Sequence, residues 1–188
     1  MRYRPPMSGA DDLLRRIETT PELARLLMWP GDFDIERRDP VEQLRLPSGL
    51  SLTPIAGDAS GGTYFLCGTP GTTRPVLYAD SEGQATLVAA DLEEALTLVA
   101  AFPYWQDMLH GHSAEELEEE IRDDDPDYAD AHAELVGLLG LTPPTAEDAV
   151  TRLRASAART VPDFLPVALH DEGESVYEPM WTPGRRPV

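Results

Sequence analysis

The chain has 188 residues, 41% hydrophobic and 26% charged, which suits one well-buried core with an appendage better than two full domains. Its 34 acidic residues against 15 basic ones give a formal charge of -19, which disfavours direct binding to nucleic acid or anionic lipid and favours basic partners. All 15 basic residues are arginine, a trace of coding bias, and the single cysteine, Cys67, excludes an intramolecular disulfide and a thiolate metal cluster.

The N-terminal stretch MRYRPPMSGADDLLRR lacks an apolar export segment, and no window approaches the length of a membrane span. A cytoplasmic protein is therefore expected. From Asp11 to Trp29, leucines at helical spacing predict a helix that stops near Thr19 and Thr20, then a second helix opening on Pro21. Met28 to Pro54 reads as a connector with one or two edge strands near Leu44 and Leu46.

Between Leu50 and Ala90 the runs SLTPIAG, TYFLC, RPVLYAD and QATLVA predict short strands. Glycine-containing turns at Ser60 to Gly62, Gly68 to Gly71 and Ser81 to Gly83 separate them, with Gly61 and Gly62 supplying positive φ. Strands so close in sequence pair as hairpins, so an antiparallel meander follows. DLEEALTLVAAF then predicts a helix capped by Asp91, with Leu92, Ala95, Leu96 and Val99 facing the sheet.

Residues 113 to 140 predict more helix, started by a capping box at Ser113 and Glu116 and broken at Asp125 and Pro126. Another helix, capped by Thr145, is expected from Thr145 to Arg159, and the tail reads as strand, turn at Asp171 to Gly173, and strand. Residues 1–112 are thus expected to form the α+β core, and residues 113–188 a helical extension with closing strands packed on it.

GDASGG, at Gly57 to Gly62, resembles a serine-protease motif with an alanine inserted. A triad needs a histidine placed to take the proton of Ser60, yet the first histidine is His110, and Asp58 stands where the hydrolase elbow needs glycine. Ser60 is read as a turn residue and Cys67 as a small buried hydrophobe. His110 and His112 near Glu115 and Glu116 form an alternative metal motif, and Asp123, Asp125, Asp127 and Glu134 match calcium-loop positions 1, 3, 5 and 12, but Tyr128 replaces the required glycine. No cofactor or metal is expected, and phosphate-loop spacing is absent.

What stands out is EELEEEIRDDDPD. Glu115, Glu116, Glu118, Glu119, Glu120, Asp123, Asp124, Asp125 and Asp127 concentrate like charge, which a basic partner would relieve. The same run would also serve simply as solubilising surface.

The stretches IAGDASGGTYFL and RPVLYADSEGQATLVAADLEEALTLVAAF resemble the central pattern of the SUKH superfamily. Asp58, Gly61, Gly62 and Tyr64 match its acidic, glycine-rich turn into a strand; Pro75, Val76, Tyr78, Asp80, Glu82 and Gly83 match its Pro-Val-aromatic strand and acidic turn; Leu92 and Leu96 match its helix. The similarity covers residues 50 to 102. It implies an α+β domain with a central, mostly antiparallel sheet flanked by helices, and a non-catalytic role. Bacterial members commonly act as immunity proteins against toxins and fungal members as signalling scaffolds. The resemblance thus implies a protein partner, in the first case a basic toxin domain, with no nucleic acid or membrane and no catalytic residues to carry over. Tyr64, Tyr78 and Trp105 are expected either as partner anchors or as core. A housekeeping scaffold is the alternative role, and a metal-dependent or serine hydrolase the second alternative.

Overall fold

The computed structural model describes residues 9–184, so the first eight residues of the N-terminal stretch considered above lie outside the description. The chain is an α+β protein whose elements stack in three layers. Helices cover one face of a five-stranded sheet, and a three-stranded sheet covers the other.

Helices α1 (Gly9–Thr19) and α2 (Pro21–Met28) divide at Thr20, with Pro21 in the first turn of α2 as the sequence predicts. The connector contains β1 (Gln43–Arg45). The meander follows as β2 (Leu52–Gly57), β3 (Thr63–Cys67), β4 (Val76–Ala79) and β5 (Gln84–Ala89), each antiparallel to the next. Gly61, Gly68, Gly71 and Gly83 have positive φ in the predicted turns.

Alternation along β3 explains the layering. Tyr64 and Leu66 point into the cluster shared with the helices, while Phe65 and Cys67 point into a second cluster with Leu46, Ala168 and Tyr177. Every residue of β3 and β4 is buried, because both faces of the sheet are covered.

Helix α3 (Leu92–Ala101) starts on Asp91, whose side chain accepts from the Glu94 N–H, and it buries Leu92, Ala95, Leu96 and Val99 as predicted. A short helix α4 (Trp105–Leu109), absent from the sequence reading, comes next. The predicted helical region of 113–140 is two helices, α5 (Ala114–Asp124) and α6 (Tyr128–Leu139), and Pro126 lies between them. Helix α7 (Ala146–Ala157) carries the expected cap, with the Thr145 hydroxyl accepting from the Asp148 N–H.

Strands β6 (Val167–His170) and β7 (Gly173–Val176) are the predicted tail hairpin. Their placement is not local: β6 pairs with β1, with Leu44 opposite Ala168, and this pairing builds the second sheet. A last strand, β8 (Glu178–Pro179), lies parallel to β5 and closes the large sheet. Because β8 reaches only Gln84 and Ala85, the Leu87 N–H instead donates to the buried Thr160 hydroxyl at 2.8 Å. Leu135, Leu139, Ala149, Leu153, Ala157 and Met180 join the same core as Ile17, Leu26 and Tyr64. Among the described residues no helix is long and apolar enough to cross a membrane.

Candidate partner-binding face

Two groups of residues carry the sequence-level expectations: the turn around Asp58 with its aromatic neighbours, and the acidic helix α5. They lie in opposite physical environments.

Asp58 is 1% exposed. Its Oδ1 accepts from the Ser60 N–H at 3.0 Å, the Ser60 hydroxyl at 2.8 Å and the Gly62 N–H at 2.7 Å. Its Oδ2 accepts from the Tyr78 hydroxyl at 2.5 Å and from Gln106 Nε2 at 3.4 Å. A buried carboxylate is tolerated only when its lone pairs are filled this way. The GDASGG motif is therefore a carboxylate-centred turn, and the Ser60 hydroxyl donates to that carboxylate.

Gly62 departs from the expected positive φ, which among the two glycines belongs to Gly61 alone. Gly62 is required for a different reason: a Cβ there would sit 2.1 Å from the Tyr78 hydroxyl oxygen. The turn is braced from outside as well. Arg37 Nη1 donates to the Asp58 carbonyl at 3.0 Å, and the Ala59 N–H donates to Asp32 Oδ1 at 2.9 Å. Burial, and secondarily the charge of Asp58, raises the pKa of Asp32.

Tyr64, Tyr78 and Trp105 do not form a surface for a partner. They are 1%, 0% and 1% exposed, and they pack with Phe33 beneath the Asp58 turn. Trp105 Nε1 donates to the Tyr64 hydroxyl at 3.0 Å, and its ring meets that of Tyr78 edge-on at 5.3 Å. The physical reason is cover on both faces of the sheet: Tyr64 and Tyr78 point into the cluster under the helices and their strand neighbours into the second one, so an aromatic on either strand has only interior to point into. An aromatic that does reach the surface is Trp29, 38% exposed beside Met28, which nothing in local patterning separates from a core residue.

Cys67 faces the second core cluster, and burial pushes its thiol pKa up to about 12. Burial likewise raises Tyr64, Tyr78 and Tyr177. Groups that ionise in the unfolded chain but stay protonated when folded lend stability below their unfolded pKa. That contribution disappears as pH rises from about 9 toward the folded values. Stability should accordingly fall steeply above about pH 9, with tyrosinate absorbance appearing cooperatively with unfolding. A thiol reagent at pH 8 should leave Cys67 unmodified until denaturant is added; rapid modification of the folded protein would contradict the burial.

Among the described residues no group of three or more His, Cys, Asp or Glu side chains could hold a metal ion. The calcium-loop coincidence fails because Asp123 lies in the last turn of α5 while Glu134 lies within α6. His110 caps α4, and His112 follows it as an exposed residue.

Helix α5 buries no residue fully. Ala114, Leu117 and Ile121, spaced three and four apart, are half-buried against the core and hold it in place. Glu116, Glu119, Glu120 and Asp123 follow the same spacing on the opposite side and are exposed. Glu118 is the exception among the acids: it pairs with Arg122 at 2.5 Å and accepts from the Tyr104 hydroxyl at 3.5 Å. Among the described residues, Glu115, Glu116, Glu119, Glu120, Asp123 and Asp124 take part in no ion pair. Asp125 and Asp127 continue the charge into the α5–α6 turn, where Asp125 Oδ1 accepts from the Asp127 N–H at 3.0 Å. Residues 113–127 thus hold nine carboxylates against one arginine.

Compared with known proteins, the chain matches no family model, no curated protein and no solved structure.

Proposed function

We propose that this chain is a non-catalytic protein-binding module of the SUKH type, acting as an immunity protein that neutralises a toxin through the acidic face of α5. The observation that carries the reading is the two-sided character of that helix. Three half-buried apolar residues anchor it, while its outer stripe presents carboxylates that take part in no ion pair among the described residues. Repulsion along the stripe is relieved when a basic surface docks, so binding and charge neutralisation are one event. A nuclease toxin has a cleft built for phosphates, and a row of helix carboxylates is a chemical substitute for them. The carboxylate turn at Asp58 and the aromatics beneath it supply a rigid platform instead of contacts.

The alternative role, a housekeeping scaffold, uses α5 only for solubility. Capture of proteins from native-host lysate, followed by reconstitution with the purified captured protein, separates the two. Under the immunity reading that protein is basic, and its affinity falls by more than tenfold as salt rises from about 0.05 to 0.5 M, because the Debye length shrinks to a few ångströms. Replacing Glu116, Glu119 and Glu120 together by lysine should abolish the interaction while leaving folding intact, since all three are exposed and unpaired. A partner held equally well by the triple variant at every salt concentration would remove α5 from the binding face.

A further inference from the structure

A cavity of about 670 Å³ opens between α3, α7 and the connection from Gly140 to Pro144, at the opposite end of α3 from the α5 face. Its floor is apolar: Val88, Leu98, Ala149 and Leu153 are all buried. Its rim carries Glu93 from the first turn of α3 and Arg152 from α7, both exposed. Neither takes part in an ion pair among the described residues. A second cavity of about 300 Å³ shares Asp91 and Glu93 with the first and continues to Thr72, Thr73 and Arg74. Both cavities border the first turn of α3.

Charge and shape narrow the occupant. A helix N-terminus ordinarily favours an anion, but here Asp91 caps it and Glu93 and Glu94 already supply negative charge, so a cationic group is the complement beside them. Asp91 Oδ1 and Glu94 Oε2 are engaged by backbone N–H groups at 2.9 Å, which leaves Glu93 as the free carboxylate. Arg152 calls for an acidic group, and the buried floor calls for aliphatic side chains. A volume of this size is that of a ligand site, and basic, acidic and aliphatic complements brought together in one cavity are the chemistry of a peptide.

We propose that the larger cavity binds a peptide segment of another protein, its basic side chain set against Glu93 and its acidic group against Arg152, with aliphatic residues over the floor. The site goes beyond the α5 reading and does not depend on it. The test titrates the ¹⁵N-labelled full chain with a capped tetrapeptide of arginine, leucine, valine and aspartate in that order. The expected result is saturable shifts in the amides of Thr97, Leu98, Leu141, Thr142 and Leu153, with affinity weakened at least about fivefold by Arg152→Glu and by Glu93→Gln. Both residues are exposed and take part in no ion pair among the described residues, so neither variant should disturb folding, and the triple lysine variant of α5 should bind the peptide as the parent does. Absent or scattered shifts, affinity unchanged in both variants, or equal binding by free arginine alone would overturn the proposal.

Discussion

Replacing Asp58 by alanine is expected to destabilise the protein by about 3–5 kcal/mol, two orphaned buried donors at about 1–3 kcal/mol each, measured by urea or guanidinium unfolding. The residue is buried, and its carboxylate is the acceptor for Tyr78, Gly62 and both polar groups of Ser60. Truncation leaves the Tyr78 hydroxyl and the Gly62 N–H in the interior without an acceptor, and each such group carries its own desolvation penalty. Asparagine should be milder, at roughly 1–2 kcal/mol. Its amide oxygen can take the place of Oδ1 toward Gly62 and Ser60, and its NH₂ can donate to a Tyr78 hydroxyl that has turned to accept. The order alanine, asparagine, aspartate in increasing stability is the discriminating result. An alanine variant within about 1 kcal/mol of the parent would show that water replaces the carboxylate, contrary to its burial.

The second large effect belongs to Trp105. Alanine there removes a ring that is 1% exposed and leaves the Tyr64 hydroxyl without its donor, at an expected loss of about 3–5 kcal/mol. Phenylalanine keeps the edge contact with Tyr78 and gives up the hydrogen bond, so it should lose about 1–2 kcal/mol. Since Asp58 and Trp105 both touch Tyr78, the double alanine variant should fall short of the sum by about 0.5–3 kcal/mol. Additive losses would mean that Tyr78 does not link the two. Neither substitution lies on α5, so any variant that still folds should keep its affinity for a basic partner.

The limits of local reading are visible in particular elements. Asp91, Ser113 and Thr145 are legible as caps because a cap bonds an N–H three residues on, and the structure finds all three. The turn at Gly83 and the tail hairpin are legible for the same reason: their hydrogen bonds close within a few residues. Gly62 was legible as a glycine position but not for its cause, which is a tyrosine ring from another strand. Tyr64 and Tyr78 were open between anchor and core. A sign was available in TYFLC and VLYA, which have no polar face and so require cover on both sides.

The linear order of residues was enough to determine the α+β class, the meander, most helix starts and the two-sided charge of α5, since each depends on spacings of two to four residues. Only the folded chain could decide that β1 joins β6 across more than a hundred residues, that Asp58 gathers donors from a turn, a strand and a helix, and that Glu93 and Arg152 face one cavity. Contacts of that kind are selected by which apolar faces must be covered at once, a condition on the whole chain that no short window of it contains.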